Sequence, residues 1–352
     1  MATELTIHIG MGKTGTTAIQ NFFWDNRKPL KKHGILYPKV GTMSNAHHLL
    51  SPHIPKFLQG QWNFLEPDQW CERLSRSDES RILISSELMA WTQPEQVATF
   101  CRRVSKFFDL RIIIYLRRQD DIIMATYNQQ IKAGVQKRDI HHILDGQIKR
   151  FNYVDKINPW AEAIGKDKIL VRPYEKSQFH LGDIRPDLLH HAYGVLWSDQ
   201  FQRSELDPNP RLSVSAMEFK RLINILDHNA DQTNPFNDAL AGCARPDKGS
   251  AKDILSPEDR IKILEHSTEI NSTIAREYMG RESGTLFEAA LPNPEDPWKE
   301  TPLSDDDGQA LCAHLHSRHP HLHKRLKKLI TEGRNSIPPL RQQAANQLAR
   351  YC

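Results

Sequence analysis

No apolar run in this chain approaches the roughly 20 residues a membrane-spanning helix needs, so the sequence predicts no transmembrane segment. No secretory leader is expected either, because the chain passes almost at once into an apolar strand beginning at Leu5. The five cysteines (Cys71, Cys101, Cys243, Cys312 and Cys352) are an odd, scattered set with no short metal-type spacing. Their pattern predicts reduced thiols in a cytoplasmic protein rather than a disulfide framework. A large excess of one charge sign is lacking as well: 47 basic and 43 acidic residues leave a net +4, well short of a nucleic-acid binder. That balance suits small anionic ligands or glycans. The 352 residues, 39% of them hydrophobic, suffice for one large core or one core plus an appendage, and no internal repeat is visible.

What is present is concentrated near the start. Leu5 to Thr17 reads L-T-I-H-I-G-M-G-K-T-G-T-T, an apolar strand entering a glycine-spaced turn with one lysine and three threonines. Ile19, Phe22 and Phe23 then fall on one face of a helix that should stop at Gly34. A turn of this make-up at a helix start wraps backbone N–H groups round a phosphate or sulfate, where the helix dipole also favours an anion. Gly12-Lys13-Thr14 supplies the end of a Walker A loop, G-x-x-x-x-G-K-[ST], but its first glycine would fall on Ile7. Gly10 is too close to Gly12 to replace it, so the match to a nucleotide triphosphatase fails at its most specific point.

Further strand-like runs follow at Gly34–Pro38, Arg81–Glu87, Arg111–Arg117 and Lys168–Tyr174, with helical spacing at Val97, Cys101, Val104 and Phe108 between the third and fourth. Continuous apolar runs suit strands covered on both faces, which predicts an α/β fold with a parallel central sheet and ligand sites at its carboxyl ends. Beyond Tyr174, Ser215-x-x-Glu218 reads as a capping box opening a helix. Residues 228–255 read as a polar loop or lid. Ser256-Pro257 opens another helix that should run to Gly280, and a basic helical tail is broken at Pro338-Pro339. The expected division is therefore an α/β core over 1–227, the loop over 228–255, and a helical extension over 256–352 packed on the core.

The K-T-G-T-T run after the first strand resembles the 5′-phosphosulfate loop of the sulfotransferases that use 3′-phosphoadenosine 5′-phosphosulfate (PAPS). Y-x-Q at Tyr127–Gln129 and Asn209-Pro-Arg211-Leu212-Ser213 resemble bacterial members of the family. The resemblance implies a P-loop-like architecture over roughly residues 5–175. It also implies a cofactor site of Gly12, Lys13, Thr14, Gly15, Thr16 and Thr17, with adenosine 3′,5′-bisphosphate as product and no metal. The family holds the 3′-phosphate with an arginine at a strand end and a serine eight residues on. Arg117 matches the arginine; the serine position is Ala125, and the nearby hydroxyl, on Thr126, lies about 100° round the helix. Either Thr126 reaches the phosphate, or Arg117 and Arg118 hold it, or the pocket does not demand it.

By the same resemblance, Lys13 stabilises charge on the leaving bridging oxygen, and a histidine or glutamate takes the acceptor's proton. His48, His47 and Glu87 are the candidates: a histidine pair in a loop returning to the sheet edge, and a carboxylate ending the Arg81–Glu87 run. The histidines at 314, 316, 319, 321 and 323, interrupted by Pro320, fit no recognised zinc spacing and read as a solvated basic segment. The implied activity is sulfonate transfer to a hydroxyl of a carbohydrate or glycolipid. The alternatives are a P-loop kinase of a sugar or nucleoside, and a sulfotransferase-like binding protein without catalysis.

Overall fold

The apolar runs form one five-stranded, all-parallel sheet: β1 (Glu4–His8), β2 (Ile35–Leu36), β3 (Arg81–Ser85), β4 (Asp109–Leu116) and β5 (Ile169–Pro173), in the order β2-β3-β1-β4-β5. They are seen in a computed structural model that describes residues 3–55, 58–203, 212–227, 229, 234–243, 254–296, 298 and 303–352. β1 is central, with Leu5 opposite Ile82 on one side and Leu110 on the other. Leu83, Ile113 and Tyr115 face a cluster with Ile19, Phe22 and Phe23 of α1 (Thr16–Asp25), joined by Ile184, Leu188 and Leu189 further along the chain. The alternate residues Ile82, Ile84, Ile112 and Ile114 point to the opposite face and are just as buried. Double-sided cover is why these strands read as continuous apolar runs rather than alternating ones.

Contacts divide the chain into two units, each assembled from three stretches: residues 1–118, 152–206 and 267–290 in one, and 119–151, 207–266 and 291–352 in the other. The expected core 1–227 thus contributes to both. The first unit holds the whole sheet with α1, α2 (Arg27–Lys32), α3 (Pro67–Leu74) and α4 (Pro94–Val104). The second begins with α5 (Gln119–Lys132) and α6 (Leu144–Arg150). The first resumes with α7 (Val154–Ile164) and α8 (Ile184–Tyr193). The second then adds α9 (Val214–Leu226), α10 (Pro235–Ala241) and α11 (Pro257–His266), and the first adds α12 (Thr268–Met279). Helices α13 (Asp305–Arg318), α14 (Pro320–Arg334) and α15 (Pro339–Tyr351) complete the second. Among the described residues, no helix is long and apolar enough to cross a membrane.

Several local expectations need correction. The helix after the first turn breaks at Asn26, whose amide donates to the carbonyls of Phe22 and Gln202 and so ends α1. The cap of α9 is Ser213, not Ser215: its hydroxyl accepts from Ala216 N–H at 3.2 Å, while Ser215 bonds Asp307 and Glu218 pairs with Arg221. The single helix expected to Gly280 is α11 and α12, separated at Ser267, where the chain passes from one unit to the other. Cys312 and Cys352 form a disulfide across 40 residues, against the expectation of reduced thiols; the other three cysteines are free. Most of 228–255, and Asn209 to Arg211, lie outside the described residues.

In the first unit, Asp187 on α8 is fully buried. Its carboxylate accepts from Arg172 Nη2 at 2.7 Å, the Tyr115 hydroxyl at 2.7 Å and His180 N–H at 2.7 Å. These bonds tie β4, β5 and α8 together near the carboxyl ends of the two strands.

Candidate functional site

β3 and β4 are consecutive strands, yet they flank β1 on opposite sides, so the winding reverses about β1. Crevices outside the carboxyl ends of strands at such a switch point are where open α/β sheets bind ligands. The segment leaving β1 there is the glycine-spaced turn. Lys13 and Gly15 have left-handed φ of 69° and 74°, whereas Gly12 and Thr14 between and before them do not. Alternating hand turns successive backbone N–H groups toward one concave side, the geometry of an anion-binding nest. Holding a lysine left-handed costs about 1–2 kcal/mol.

The turn is fixed from inside and open outside. Thr14 donates its hydroxyl to Met11 O at 2.5 Å and is fully buried, and Thr16 is buried while Thr17 is exposed. A Cβ on Gly15 would come within 2.8 Å of Tyr174 Cε2 and 3.0 Å of Ile184 Cδ1, so both space and backbone require glycine there. A Cβ on Gly12 would meet nothing within 4 Å. Gly15 is also the cap of α1 and supplies no side-chain bond to the first-turn N–H groups.

Arg117, leaving β4, donates through Nη1 to Lys13 O at 3.2 Å, and its backbone carbonyl accepts from the Tyr153 hydroxyl. The expected arginine and the expected lysine are therefore side by side. Arg118 turns elsewhere, donating to Ala290 O at 2.8 Å and Ala289 O at 3.2 Å, which makes it a clamp on the 289–290 backbone. Thr126 is half-buried on α5, in the second unit.

The two histidines are held by a tight turn in which Ser44 and Asn45 both have positive φ, the pattern of a type I′ turn, closed by Met43 and Ala46. His47 N–H then bonds Ser85 O at 2.7 Å, docking the loop on the end of β3. The His47 ring is fully buried, with Nε2 2.9 Å from Pro38 O and Nδ1 accepting from Ser85 N–H at 3.1 Å. Both ring nitrogens are spent on backbone, so His47 is a bracket for the loop. His48 points differently. Its Nδ1 lies 3.0 Å from Ser86 Oγ, its Nε2 lies 3.8 Å from Glu87 Oε1, and its ring stacks on Trp62. Burial holds its pKa below the usual histidine range despite the opposing pull of Glu87, so the ring is neutral and able to accept a proton.

Glu87 is a third exposed and accepts from Gln20 Nε2 at 2.8 Å. Gln20, on α1 directly after the turn, also reaches Ser85 Oγ at 3.3 Å, and Ser85 Oγ is 2.8 Å from His8 Nδ1. A polar chain thus runs from the end of β1, through α1, to His48 and Glu87. Its members His8, Gln20 and Ser86 are functional candidates that the sequence reading passed over. The signal for His8 was a lone ionisable residue inside an apolar strand entering the loop; Gln20 and Ser86 carried none. His8 is fully buried with Nε2 unpartnered among the described residues, and burial lowers its pKa to about 3.

Burial likewise lowers the pKa of His47 to about 4. Between pH 6.5 and about 4 the unfolded chain therefore protonates both rings while the folded chain protonates neither. Stability must rise with pH across this window and be lost as pH falls through it, by about 3 kcal/mol per ring. Denaturant titrations from pH 7 to 4.5 should show uptake of about two protons on unfolding from these rings, and His47→Gln should remove about one. A His47→Gln profile with the same slope as the parent would refute the assignment.

Fold and site together define an α/β protein whose central strand opens into a nest-like turn beside a histidine–glutamate pair. No known protein-family profile matches the chain, and no solved structure matches it. An uncharacterized protein of Archaeoglobus fulgidus is 28% identical over 203 residues, 56% of this chain and 54% of that relative. The chain thus spans about half the length of the relative it matches.

Proposed function

We propose that the protein is a PAPS-dependent sulfotransferase of P-loop-like architecture, moving a sulfonate group to a hydroxyl of a carbohydrate or glycolipid acceptor. The observation that carries this reading is the alternating-hand turn at 12–15 with Arg117 bonded to its Lys13 carbonyl. The turn's amides, with Thr16 and Thr17 at the start of α1, suit the 5′-phosphosulfate, and Arg117 suits the 3′-phosphate. The resemblance supplies the sulfonated nucleotide, since the missing Walker A glycine at Ile7 argues against a triphosphate.

Transfer is an in-line displacement at sulfur. The acceptor oxygen forms a bond to sulfur as the bond from sulfur to the bridging oxygen breaks, and adenosine 3′,5′-bisphosphate leaves. Lys13 neutralises charge growing on that bridging oxygen, an electrostatic role of the kind that dominates related phosphoryl transfers. The acceptor's proton passes to the His48–Glu87 pair, in which Gln20 orients the carboxylate and Ser86 the ring. His47 supports the pair from behind.

The test combines binding and transfer. Adenosine 3′,5′-bisphosphate at a hundred times its Kd should stabilise the protein by about 2.7 kcal/mol, and 5′-AMP at the same concentration should do much less. Labelled PAPS should pass its sulfonate to a fraction of a glycan panel without loss in a chelator, whereas a kinase would require magnesium. His48→Gln and Glu87→Gln should each lower kcat by about 10²–10⁴ while leaving bisphosphate stabilisation intact. Equal stabilisation by both nucleotides, together with no transfer from PAPS, would sink the proposal. Bisphosphate-specific stabilisation without any transfer would leave a binding protein instead.

A further inference from the structure

The histidine-rich segment between α13 and α14 does not remain extended. Pro320 occupies the first turn of α14, and the bend at His319 folds α14 back beside α13, bringing His323 to His316 with Nδ1 atoms 3.3 Å apart. On α13, Cys312 and His316 are four residues apart and so share a face. The chain just beyond α15 brings Cys352 to the same place, with its Cα 5.6 Å from that of Cys312. Ligating atoms of Cys312, His323 and Cys352 all lie within 4.8 Å of one another. Two sulfurs and the His323 imidazole of the second unit therefore converge, with the His316 imidazole beside that of His323.

We propose that Cys312, His316, His323 and Cys352 form a Cys₂His₂ site for zinc in the dithiol form of the protein, which the Cys312–Cys352 disulfide closes. Tetrahedral zinc bonds thiolate at about 2.3 Å and imidazole at about 2.0–2.1 Å, which sets ligand atoms about 3.3–3.8 Å apart. The His316–His323 nitrogen separation of 3.3 Å already falls in that range. The two sulfurs, at bonding distance in the disulfide, part once that bond is reduced. Two thiolates with two imidazoles in tetrahedral array favour zinc over harder cations such as magnesium or calcium. The sequence concealed the site because the fourth ligand is 29 residues beyond the third (Cys352 after His323), outside any short zinc pattern.

A small dithiol gives two electrons and two protons to the Cys312–Cys352 bond and is itself oxidised to a disulfide, leaving two protein thiols. Zinc then binds both sulfurs as thiolates, and two protons pass to solvent. Oxidation of the zinc-bound pair by a disulfide reverses the sequence and expels the metal. Zinc and the disulfide are thus alternative crosslinks between α13 and the end of α15, the metal also engaging α14 through His323.

The full-length protein, reduced with a phosphine and cleared of metal, is titrated with zinc and, separately, with cobalt(II). The expected result is one metal per chain, with thiolate-to-cobalt charge-transfer absorption and the intense visible bands of tetrahedral cobalt; the oxidised protein should bind none. His316→Gln, at an exposed position, and His323→Gln should each weaken binding at least about 10-fold, and Cys352→Ser should diminish the charge-transfer band. Because the wild-type cobalt spectrum needs no variant, failure of Cys352→Ser to fold would leave the result decided. A reduced protein that binds no stoichiometric metal, an octahedral cobalt spectrum, or His323→Gln binding as tightly as wild type would each overturn the site.

Discussion

Lys13→Ala should lower sulfonate transfer by about 10²–10³ while leaving the thermal transition in place, because it removes the one cation the turn itself supplies to the leaving oxygen. The backbone at this position makes a sharper version available. Lys13 is held at φ 69°, a conformation glycine adopts freely and a lysine does not. Lys13→Gly should therefore be as inactive as Lys13→Ala yet more stable than the parent by about 1 kcal/mol, since it relieves left-handed strain. A gain in stability with loss of turnover is the signature of a residue kept for chemistry against its conformational preference. Radiolabelled transfer assays and denaturant titrations of the two variants read both quantities. If Lys13→Gly kept full turnover, the ammonium group would have no part in the reaction.

Asp187→Ala should cost about 3–5 kcal/mol in unfolding free energy, enough to consume much of a typical domain's stability. The carboxylate is fully buried and is the counter-ion of Arg172, itself almost covered. Its removal strands the guanidinium, the Tyr115 hydroxyl and His180 N–H at once. Asp187→Asn should cost less, because the amide oxygen can still accept from some of these donors. Since Ile184, one turn away on α8, would touch any side chain at position 15, the Ala variant should also weaken nucleotide binding. Urea titration of both variants measures the first effect; a loss under 1 kcal/mol for Asp187→Ala would show that the cluster is replaceable.

The sheet was legible in the sequence because burial on both faces leaves an unmixed apolar run, and all five strands fall where such runs occur. β1 ends at His8, although Ile9 and Met11 just beyond it are as apolar and as buried as the strand. The turn itself was readable from its glycines. The separate roles of His47 and His48 were not, because adjacent residues of one type differ only in which way the surrounding turn aims them. The same holds for Arg117 and Arg118. Ser215 misled because a capping box fits a short pattern, whereas the actual cap two residues earlier depends on where α9 begins. The Cys312–Cys352 link and the folding back of α14 depend on contacts between segments up to 40 residues apart, which no local spacing records.

The chain crosses between its two units five times, at the boundaries near 118, 151, 206, 266 and 290. On the ribosome, the sheet-bearing unit cannot be completed until α12 has emerged, and by then most of the other unit is already outside the exit tunnel. Nascent α5 must therefore wait for α9 and α11, and α9 for α13, α14 and α15, all of which are translated later. Synthesis of this protein should accordingly be sensitive to slowed elongation or to loss of chaperones that shield early intermediates, and neither half should be recoverable by cutting the gene at a single point.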